Sequence, residues 1–364
     1  MKTKKRKTVA VAMSGGVDSS VAAYLLKQQG YEVIGVMAKF WGDAAFREGG
    51  FQDTCCSIET RKKGEIISRE LDIPFYFLDL EVPFKEHVVD VFVEGYKSGK
   101  TPNPCVLCNR EVKIGLLLKK VQELFGVDYL ATGHYAQIAH KNGVTKVTRS
   151  KDSFKDQTYF LSRVQQKDLD RLLFPCGGYT KDEIREIARE AGLASLVLAE
   201  SQELCFFSEK TPGAYLKKNI GKSVGEVVDT AGKKLGTHDG AYKFTLGQRK
   251  GLDLKMEKAV YVSEIDTRTN TIKVTYDHND PKLQNTSVKI TKFNSLAKIR
   301  KGQKVLAKLR HTPEFAEATI ANITTSGQVE LRLQKSQRAV MPGQVAAIYA
   351  KNVLLGGGEI VAAA

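Results

Sequence analysis

The stretch VAVAMSGGVDSS, residues 9–20, decides the fold of this chain. Its first five residues, Val9–Met13, are an apolar run, which predicts a short buried strand of a parallel sheet. The Ser-Gly-Gly that follows is a turn without side-chain bulk, and a helical pattern is predicted from Ser19 onward. Backbone N–H groups form a nest in such a turn, and the helix N-terminus adds partial positive charge. The stretch therefore predicts a phosphate-binding loop.

The residue types in this loop exclude the two commonest phosphate-binding motifs. No Gly-Lys-Ser/Thr is present, as a Walker A loop requires, and the loop lacks the G-x-G-x-x-G of the dinucleotide fingerprint. The pattern S-G-G-x-D-S instead resembles the pyrophosphatase loop of adenylating enzymes, which attack ATP at the α-phosphorus and release pyrophosphate. The alternative is an ordinary strand-to-helix turn that is rich in glycine.

The length and the charge of the chain limit the class of protein to which it can belong. A chain of 364 residues is too long for one compact core, so we expect two or three domains. The hydrophobic fraction of 42% and the charged fraction of 27% are those of an ordinary globular protein. The 56 Lys and Arg residues outnumber the 41 Asp and Glu residues, which gives a net charge of +15 and a pI near 9.4. This excess indicates a polyanionic partner, most simply nucleic acid, unless the whole proteome is basic.

Nothing in the sequence predicts a membrane or secreted protein. No apolar run approaches the ~18 residues of a membrane span. The basic residues 1–7 resemble the start of a signal peptide, but the apolar run behind them is too short and no cleavage site follows. Six cysteines in a chain of this size do not form a disulfide framework. We therefore expect catalytic, metal-binding or inert thiols in a reducing, cytoplasmic compartment.

Residues 31–191 continue the alternation of strands and helices that a doubly wound parallel sheet requires. The last predicted strand is followed by Thr132-Gly133-His134-Tyr135. Ligands bind at the carboxyl ends of the strands in an open α/β sheet, so this Gly and His are candidate site residues. The apolar patterns predict strands at Tyr31–Phe40, Pro74–Leu80 and Val127–Ala131, and helices at Ser57–Leu71, Phe84–Tyr96, Leu169–Leu173 and Thr180–Ala191.

The stretch TPNPCVLCNR, residues 101–110, carries a C-x-x-C motif. Its two prolines predict an extended, rigid loop before the helical pattern that resumes at Val112. Cys105 and Cys108 would then lie at or just before a helix N-terminus, where the pKa of a thiol is lowered. The two could be a redox pair, half of a metal site, a nucleophile with a neighbour, or two buried structural cysteines. Cys205, about a hundred residues further on, is a third candidate thiol.

Beyond Cys205 the pattern changes from long helices to short alternating segments. Residues 285–364 hold twelve Lys and Arg against four Asp and Glu, which suits either a nucleic-acid backbone or a solvated basic face. We therefore divide the chain into domains at residues 1–207, 208–284 and 285–364. A hairpin is predicted at Val260–Ile265 and Thr271–Tyr276, and a small β-barrel from strands at Gln303–Arg310, Ala316–Ile323, Val329–Leu333 and Val345–Tyr349.

Several motifs together resemble the bacterial tRNA-specific 2-thiouridylase family over nearly the whole chain. They are SGGVDS, TPNPxxLCN, ATGHY, KDQTYFL, the cysteine before Phe206, TLGQRKGL and PGQ. The resemblance implies a PP-loop domain of the adenine-nucleotide α-hydrolase-like fold. A small, mostly β central tRNA-binding domain and a C-terminal β-barrel would follow it. The family uses ATP, Mg²⁺ and a relayed sulfur to make 2-thiouridine at the wobble position of tRNAs for Lys, Glu and Gln.

The resemblance also implies roles for individual residues. Cys108 would be the catalytic nucleophile, and Cys205 would carry a persulfide. The residues that it implies for ATP are Ala12, Met13, Ser14, Gly15, Gly16, Val17, Asp18, Ser19, Met37 and Gly133. The residues that the resemblance implies for contact with the flipped target base are Asn103, Pro104 and Cys105. The residues that it implies for contact with the rest of the tRNA are His134, Lys155, Asp156, Gln157, Arg310, His311 and Gln344.

Two routes for the sulfur are consistent with the sequence. In the first, adenylation turns the uracil 2-oxygen into a leaving group, and a partner thiolate releases sulfur from a cysteine persulfide as a disulfide forms. The second route depends on a difference from the family. Many members have Asp at the position of Cys105. Cys105, Cys108 and Cys205 would then hold three irons of a [4Fe–4S] cluster whose open iron carries sulfide. In both routes the base must leave its stack to be reached.

Two other classes of protein share part of this pattern. An adenylating enzyme that acts on a small carboxylate or amide, as NAD synthetase does, has the loop but needs neither three thiols nor a basic barrel. A non-catalytic tRNA-binding protein with a retained nucleotide fold would show a damaged loop, and this loop is intact. The expected partners are tRNA and a sulfur relay from a cysteine desulfurase. The chain is expected to act as a monomer, without a membrane.

Overall fold

A computed structural model describes residues 6–41, 58–141, 143–193, 205–206, 212–254 and 256–364. The chain folds into two compact units, each assembled from separate stretches of sequence. The three-domain division stays a prediction, and its boundary at residue 207 lies outside the described residues. In the described part of the chain, no helix is long and apolar enough to cross a membrane. The first unit comprises Met1–Val88, Cys105–Ser208 and Asn352–Leu354, and the second comprises Val89–Pro104, Glu209–Lys351 and Leu355–Ala364.

A five-stranded parallel sheet forms the centre of the first unit. Its strands are β1 (Thr8–Ala12), β2 (Glu32–Lys39), β3 (Phe75–Asp79), β4 (Tyr129–Ala131) and β7 (Leu172–Leu173), in the order β3-β2-β1-β4-β7. Each neighbouring pair runs parallel. The doubly wound parallel sheet is therefore confirmed. The first four strands lie within two residues of their predicted ends, because each is a continuous apolar run.

Helices cover the sheet through their apolar sides. Val21 and Leu26 of the first helix, and Ile184 and Ala188 of the last helix of this unit, share one buried core with Val9 of β1. The helices are α1 (Val17–Gln28), α2 (Ile58–Glu70), α3 (Glu81–Phe84), α4 (Asp90–Lys97, in the second unit), α5 (Pro104–Cys108), α6 (Leu117–Phe125), α7 (Thr158–Leu161), α8 (Gln166–Leu169) and α9 (Lys181–Glu190), with π-helical segments at Lys85–Val89 and Asn109–Leu116 and a 3₁₀ turn at Pro175–Gly178.

Three features of the first unit differ from the prediction. Leu172–Leu173 was predicted to be helical but forms the sheet strand β7, because two apolar residues are too few to distinguish the two periods. The single helix predicted over Phe84–Tyr96 is divided into two α-helical segments with a π-helical one between them. The sequence analysis did not identify the hairpin of β5 (Ala136–Lys141) and β6 (Val144–Arg149).

The second unit contains a four-stranded sheet and a closed barrel. The predicted hairpin is confirmed as β10 and β11, and the predicted barrel closes because β12 pairs with both β15 and β17. Apolar residues from every barrel strand fill its interior. The elements are α10 (Pro212–Ile220), β8 (Gly225–Val228), β9 (Lys234–His238), β10 (Tyr261–Asp266), β11 (Thr271–Thr275), β12 (Gln284–Ser295), β13 (Lys304–Lys308), β14 (Ala316–Ile323), β15 (Val329–Arg338), β16 (Val345–Ala350) and β17 (Val353–Ala363), with 3₁₀ turns at Ala241–Lys243 and Pro281–Leu283.

Candidate active site

The S-G-G-x-D-S loop joins the carboxyl end of β1 to the start of α1. Gly15 has a φ of +73°, a left-handed conformation that glycine adopts without strain. The Ser19 hydroxyl donates to the Gly16 carbonyl at 3.0 Å and accepts from the Ser14 N–H at 3.2 Å. The loop is therefore fixed by its own hydroxyl groups before any ligand binds.

The turn after β4 packs directly against the start of α1. A Cβ atom on Gly133 would lie 2.8 Å from the carbonyl carbon of Asp18 and 2.9 Å from the backbone nitrogen of Ser19. Backbone atoms cannot move aside as a flexible side chain can, so any side chain at Gly133 would push α1 away. Gly133, selected from the sequence, therefore permits the close approach of β4 to the loop.

The carboxylate of Asp18 is held by two side chains that the sequence analysis did not select. The Tyr135 hydroxyl donates to Asp18 Oδ1 at 2.7 Å, and Lys181 Nζ lies 2.7 Å from the same oxygen. The Lys181 side chain is only 6% exposed, whereas that of Asp18 is 27% exposed. Lys181 is the first residue of α9, where a lysine is ordinarily solvated, so the sequence carries no signal for this ion pair.

A buried thiol forms a hydrogen bond with the backbone of Asp18. Cys176 Sγ donates to the backbone oxygen of Asp18 at 3.2 Å. Burial raises the pKa of the Cys176 thiol, and the nearby Asp18 carboxylate raises it further. The thiol therefore stays protonated and acts as a hydrogen-bond donor, which is the inert behaviour that was one of the three expectations for the cysteines.

His134 is buried and uncharged beside the loop. Its Nδ1 lies 2.7 Å from the Thr132 hydroxyl oxygen. Burial lowers the pKa of the imidazole well below its usual 6.5, and the positive charge of Lys113 lowers it further. Since His134 is neutral at physiological pH, its predicted contact with tRNA would be a hydrogen bond between neutral groups or with a phosphate oxygen.

The other residues that were predicted to hold ATP lie around the same strand ends. Ala12 is the last residue of β1, and Val17 is the first residue of α1. Met13 and Met37 are buried, and a Cβ atom on Gly64 of α2 would lie 2.8 Å from Met37 Cε. Met37 is thus covered by α2, and its contact with adenosine stays a prediction.

Cys105 and Cys108 lie on one short helix. α5 begins at Pro104 itself, because proline is tolerated at the first helical position, so the extended conformation predicted there is wrong. Burial raises the pKa of the Cys105 thiol to about 11, although the charge of Lys113 acts in the opposite direction. The lowered pKa predicted for this thiol is therefore wrong, since desolvation outweighs the helix N-terminus.

Cys205 presents an exposed thiol next to a buried anchor. Its neighbour Phe206 is 1% exposed, and the Phe206 ring centroid lies 6.0 Å from that of Phe84. The packed ring fixes the backbone while the thiol remains accessible. In the described part of the chain, no cysteine forms a disulfide.

The positions of the thiols test the cluster hypothesis. Among the described residues, no group of three or more His, Cys, Asp or Glu side chains is placed to hold a metal ion, and Cys105, Cys108 and Cys205 all belong to that part of the chain. This placement of the thiols therefore gives no support to a [4Fe–4S] cluster, which stays a prediction.

Lys155, Asp156 and Gln157 follow the loop after β6. Asp156 is 3% exposed, and its carboxylate accepts from the Thr158 hydroxyl at 3.0 Å. Gln157 Oε1 accepts from the Tyr135 N–H at 2.9 Å and so connects this segment to the strand end beside the loop. These contacts are internal, and the predicted contacts with tRNA stay predictions.

A pocket of about 340 Å³ in the second unit gathers residues that were selected from distant parts of the sequence. Asn103, Arg310, His311 and Gln344 all line it. Gln344 Nε2 donates to the Thr101 carbonyl at 2.9 Å, which fixes the segment that precedes the C-x-x-C motif. Arg310 and His311 are exposed at its edge. The structure therefore brings four of the predicted substrate-binding residues together.

The same pocket is lined by Arg338 and Ala339, which the sequence analysis did not select. Arg338 Nε donates to the His278 carbonyl at 3.1 Å, and the guanidinium lies over the Tyr261 ring, 5.0 Å from its centroid. Ala339 has a φ of +54°, which costs energy for a residue with a Cβ atom. Gly247 has a φ of +75°, and a Cβ atom there would lie 2.9 Å from the Cβ atom of Ala339, so the TLGQRKGL motif needs glycine at this position.

A larger open groove, of about 620 Å³, lies between α2 and β3 in the first unit. Arg61, Arg69 and Phe77 are among its lining residues, and the Arg61 guanidinium lies over the Phe77 ring. None of the residues selected from the sequence lines this groove. Its volume alone assigns it no function.

The fold and the loop define the class of protein. A parallel sheet with an S-G-G-x-D-S loop at the carboxyl end of its first strand, followed by a closed β-barrel, is the architecture of a PP-loop ATP-using enzyme with appended β domains. Three domain families match in order. They are described as "tRNA methyl transferase HUP domain" over residues 7–209, "tRNA methyl transferase PRC-barrel domain" over 213–276 and "Aminomethyltransferase beta-barrel domain" over 285–360.

Full-length relatives identify the family. The chain is 42% identical to the tRNA-specific 2-thiouridylase MnmA of Clostridium acetobutylicum, over 97% of this chain and 99% of that protein. It is also 42% identical to the protein of the same name from Aquifex aeolicus, over 97% of this chain and 98% of that one. The chain belongs to the tRNA-specific 2-thiouridylase (MnmA) family, so the resemblance read from the motifs is confirmed. A 4-thiouridine synthetase–RNA complex with bound ATP is similar over 57% of this chain and 46% of that chain, at 19% identity and a TM-score of 0.36, which is too weak a likeness to carry an argument.

Proposed function

We propose that this chain catalyses the ATP-dependent 2-thiolation of uridine at the wobble position, U34, of the tRNAs for Lys, Glu and Gln. The observation that carries the proposal is the S-G-G-x-D-S loop, held through Asp18 by Tyr135 and Lys181, in a chain whose full-length relatives are tRNA-specific 2-thiouridylases. The same membership disfavours an enzyme that adenylates a small acid. The intact loop disfavours a protein that only binds tRNA.

The first step is adenylation of the uracil 2-oxygen. The backbone N–H groups of the loop and the N-terminus of α1 would hold the pyrophosphate end of ATP. Lys181 offsets the negative charge of Asp18, so that this carboxylate does not repel the phosphates. The uracil 2-oxygen attacks the α-phosphorus, and the bond to pyrophosphate breaks. Mg²⁺ bound together with the nucleotide would supply further positive charge at the phosphates.

The second step delivers sulfur. Cys205, whose thiol is exposed, receives a sulfur atom as a persulfide from a cysteine desulfurase relay. The Cys108 thiolate attacks the inner sulfur of that persulfide, and the outer sulfur leaves as hydrosulfide. Hydrosulfide adds to C2 of the adenylated uracil, and AMP leaves with the former 2-oxygen. A Cys108–Cys205 disulfide is left, which a thiol reductant converts back to two thiols.

The tRNA would be bound by residues of both units. Asn103, Pro104 and Cys105 lie three to five residues before the nucleophile in the sequence, so they are the candidates for contact with the flipped base. In the second unit, Arg310 and His311 expose polar groups at the edge of a pocket large enough for part of a nucleotide. The chain would act as a monomer that takes sulfur from a separate donor protein.

The test is 2-thiouridine formation on an unmodified tRNA transcript. Iron-free protein is supplied with ATP, Mg²⁺, cysteine, a cysteine desulfurase and a reductant, and the product is measured by mass spectrometry of the nucleosides. We expect product from the wild type and none from Cys108→Ala or Cys205→Ala, while both variants still bind tRNA. Product from either variant would contradict the roles given to these thiols.

One further variant separates the persulfide route from the cluster route. Cys105→Asp introduces the residue that many members of the family have at this position. We expect it to retain activity, because Cys105 transfers no sulfur in the persulfide route. The cluster route is correct instead if three results are found together. Iron-free wild type makes no product, anaerobic iron–sulfur reconstitution with sulfide restores product formation, and Cys105→Asp abolishes the restored activity.

A further inference from the structure

The loop between β6 and α7 displays the most exposed large apolar side chain in the described part of the chain. The Phe154 side chain is 91% exposed. Single exposed apolar residues are ordinary on protein surfaces, so exposure by itself carries little weight. What distinguishes Phe154 is that its backbone is fixed and that a lysine follows it in the sequence.

Asp152 fixes the backbone that carries this ring. Its Oδ1 accepts from the Phe154 N–H at 3.0 Å and from the Lys155 N–H at 3.1 Å. Its Oδ2 accepts from the Lys181 N–H at 3.0 Å, which ties the loop to the start of α9. The ring is therefore presented by a preformed loop, and a ligand would not have to order the backbone before it binds.

One cation beside the ring suits a polyanion. Lys155 follows Phe154 directly in the sequence, whereas Lys151 is paired with the Glu183 carboxylate, which lies 2.6 Å from its Nζ. Lys155 also begins the Lys-Asp-Gln segment whose contact with tRNA was predicted. An aromatic ring for a base and cations for the phosphates are the combination by which proteins bind unpaired nucleotides.

We propose that the Phe154 ring is a stacking platform for one unpaired base of the tRNA. This proposal rests on the proposed function, which supplies tRNA as the ligand. A protein partner suits the site less well, because a standard protein interface buries about 800 Å² on each side. Among the described residues between Val144 and Val224, Phe154 is the one large apolar side chain that is exposed, and a base needs a single ring face.

Three substitutions at this position test the proposal by tRNA affinity at fixed salt. Phe154→Ala should weaken binding by about tenfold, within the range measured for single base–aromatic stacks. Phe154→Leu should weaken it as much, because leucine is apolar but has no aromatic face, and Phe154→Tyr should bind as the wild type does. The matched control is Val144→Ala, which removes another exposed apolar side chain, on β6, and should leave the affinity unchanged.

A spectroscopic signature distinguishes stacking from a structural effect. The chain has one tryptophan, Trp41, so Trp41→Phe combined with Phe154→Trp places a single indole on the loop. A base stacked on this indole should quench its fluorescence when tRNA is added. A fully paired RNA duplex of the same length should quench it much less, because it offers no unpaired base.

The outcomes separate this proposal from the proposed function. If tRNA binds the wild type, Arg310→Ala weakens binding and Phe154→Ala does not, the stacking platform is wrong while the function stands. Equal weakening by Phe154→Ala and Val144→Ala, or no quenching by tRNA, also overturns it. If the wild type neither binds nor thiolates tRNA, both the function and the stacking platform are wrong.

Discussion

The pyrophosphatase loop and the pocket of the second unit differ in how far their polar side chains are paired within the protein. Around the loop, charges and hydroxyls are paired inside the protein, as in the contact of Lys181 and Tyr135 with Asp18. Around the pocket, Arg310 and His311 extend into solvent. The loop geometry is therefore fixed before the ligand arrives, whereas the pocket offers charges that can adapt to a flexible chain. A chemical step needs the first arrangement, and binding of a large polyanion can use the second.

The largest effect is expected when the packing of the loop is disturbed, which tests whether its fixed geometry is needed. Gly133→Ala places a methyl group 2.8 Å from the backbone of Asp18. We expect the free energy of unfolding of the variant to fall by about 1–3 kcal/mol, the usual cost of overpacking. We also expect the variant to lose ATP-dependent adenylation. Thermal unfolding and pyrophosphate release measure the two effects.

Gly178→Ala is the matched control for that experiment. A Cβ atom on Gly178 would meet nothing within 4 Å, and its backbone is not left-handed. Its stability and its pyrophosphate release should match those of the wild type. If Gly133→Ala behaved like Gly178→Ala, the close approach of β4 to α1 would not matter for the site.

The next largest effect is expected from the buried ammonium. Lys181→Met removes the cation beside Asp18, so the carboxylate would face the incoming phosphates uncompensated. We expect kcat/KM for ATP to fall by about a hundredfold, with tRNA affinity unchanged. Arg185→Met is the control on the same helix, since Arg185 forms only a solvent-exposed pair with Asp182. Equal kcat/KM values for ATP in the two variants would show that Lys181 does not contribute to the site.

A smaller and different effect is expected in the pocket. Arg310→Ala should weaken tRNA binding by about three- to tenfold and reduce the slope of log affinity against log salt by about one, without a loss of stability. Arg332→Ala, on β15 of the same barrel but not in the pocket, is the control and should change neither. An unchanged slope in Arg310→Ala would show that this residue does not contact a phosphate.

The smallest effect concerns the thiol of Cys105, a residue of intermediate exposure whose pKa is raised by burial of the thiol. The pKa of Cys105 is raised from 9.0 to about 11, so its thiolate fraction at pH 8 is lower by about a hundredfold. Alkylation by iodoacetamide should therefore be slow at Cys105 and should accelerate as the pH rises toward 11. Peptide mass spectrometry can follow Cys105 and the exposed Cys205 in one sample. Equal rates at pH 8 would contradict the burial of the Cys105 thiol.

Much of the first unit could be predicted because the central strands of its sheet are buried. β1 and β2 are continuous apolar runs, and Gly133 stands where parallel strands end. The hairpin of β5 and β6 escaped detection because its strands, AQIAHK and VTKVTR, mix polar and apolar residues without a long apolar run. β7 escaped because two leucines fit a helix as well as a strand.

The site was predictable to the extent that a motif carried it. The S-G-G-x-D-S loop and the C-x-x-C pair are visible as residue types at fixed spacing. Lys181 and Tyr135 are not, because their role depends on the sheet bringing residues more than a hundred positions apart to one carboxylate. The pKa of Cys105 could not be read from the sequence either, since its position near a helix N-terminus predicts a shift of the opposite sign to the one that burial produces.

The division of the chain between the two units has a consequence for synthesis on the ribosome. Residues 89–104 emerge early, yet the rest of the second unit begins only at Glu209. The first unit likewise includes Asn352–Leu354, which is made almost last. Neither unit can be completed while translation is still in its first half, and no single cut separates the two. Both units therefore remain incomplete until residues 352–364 have been made.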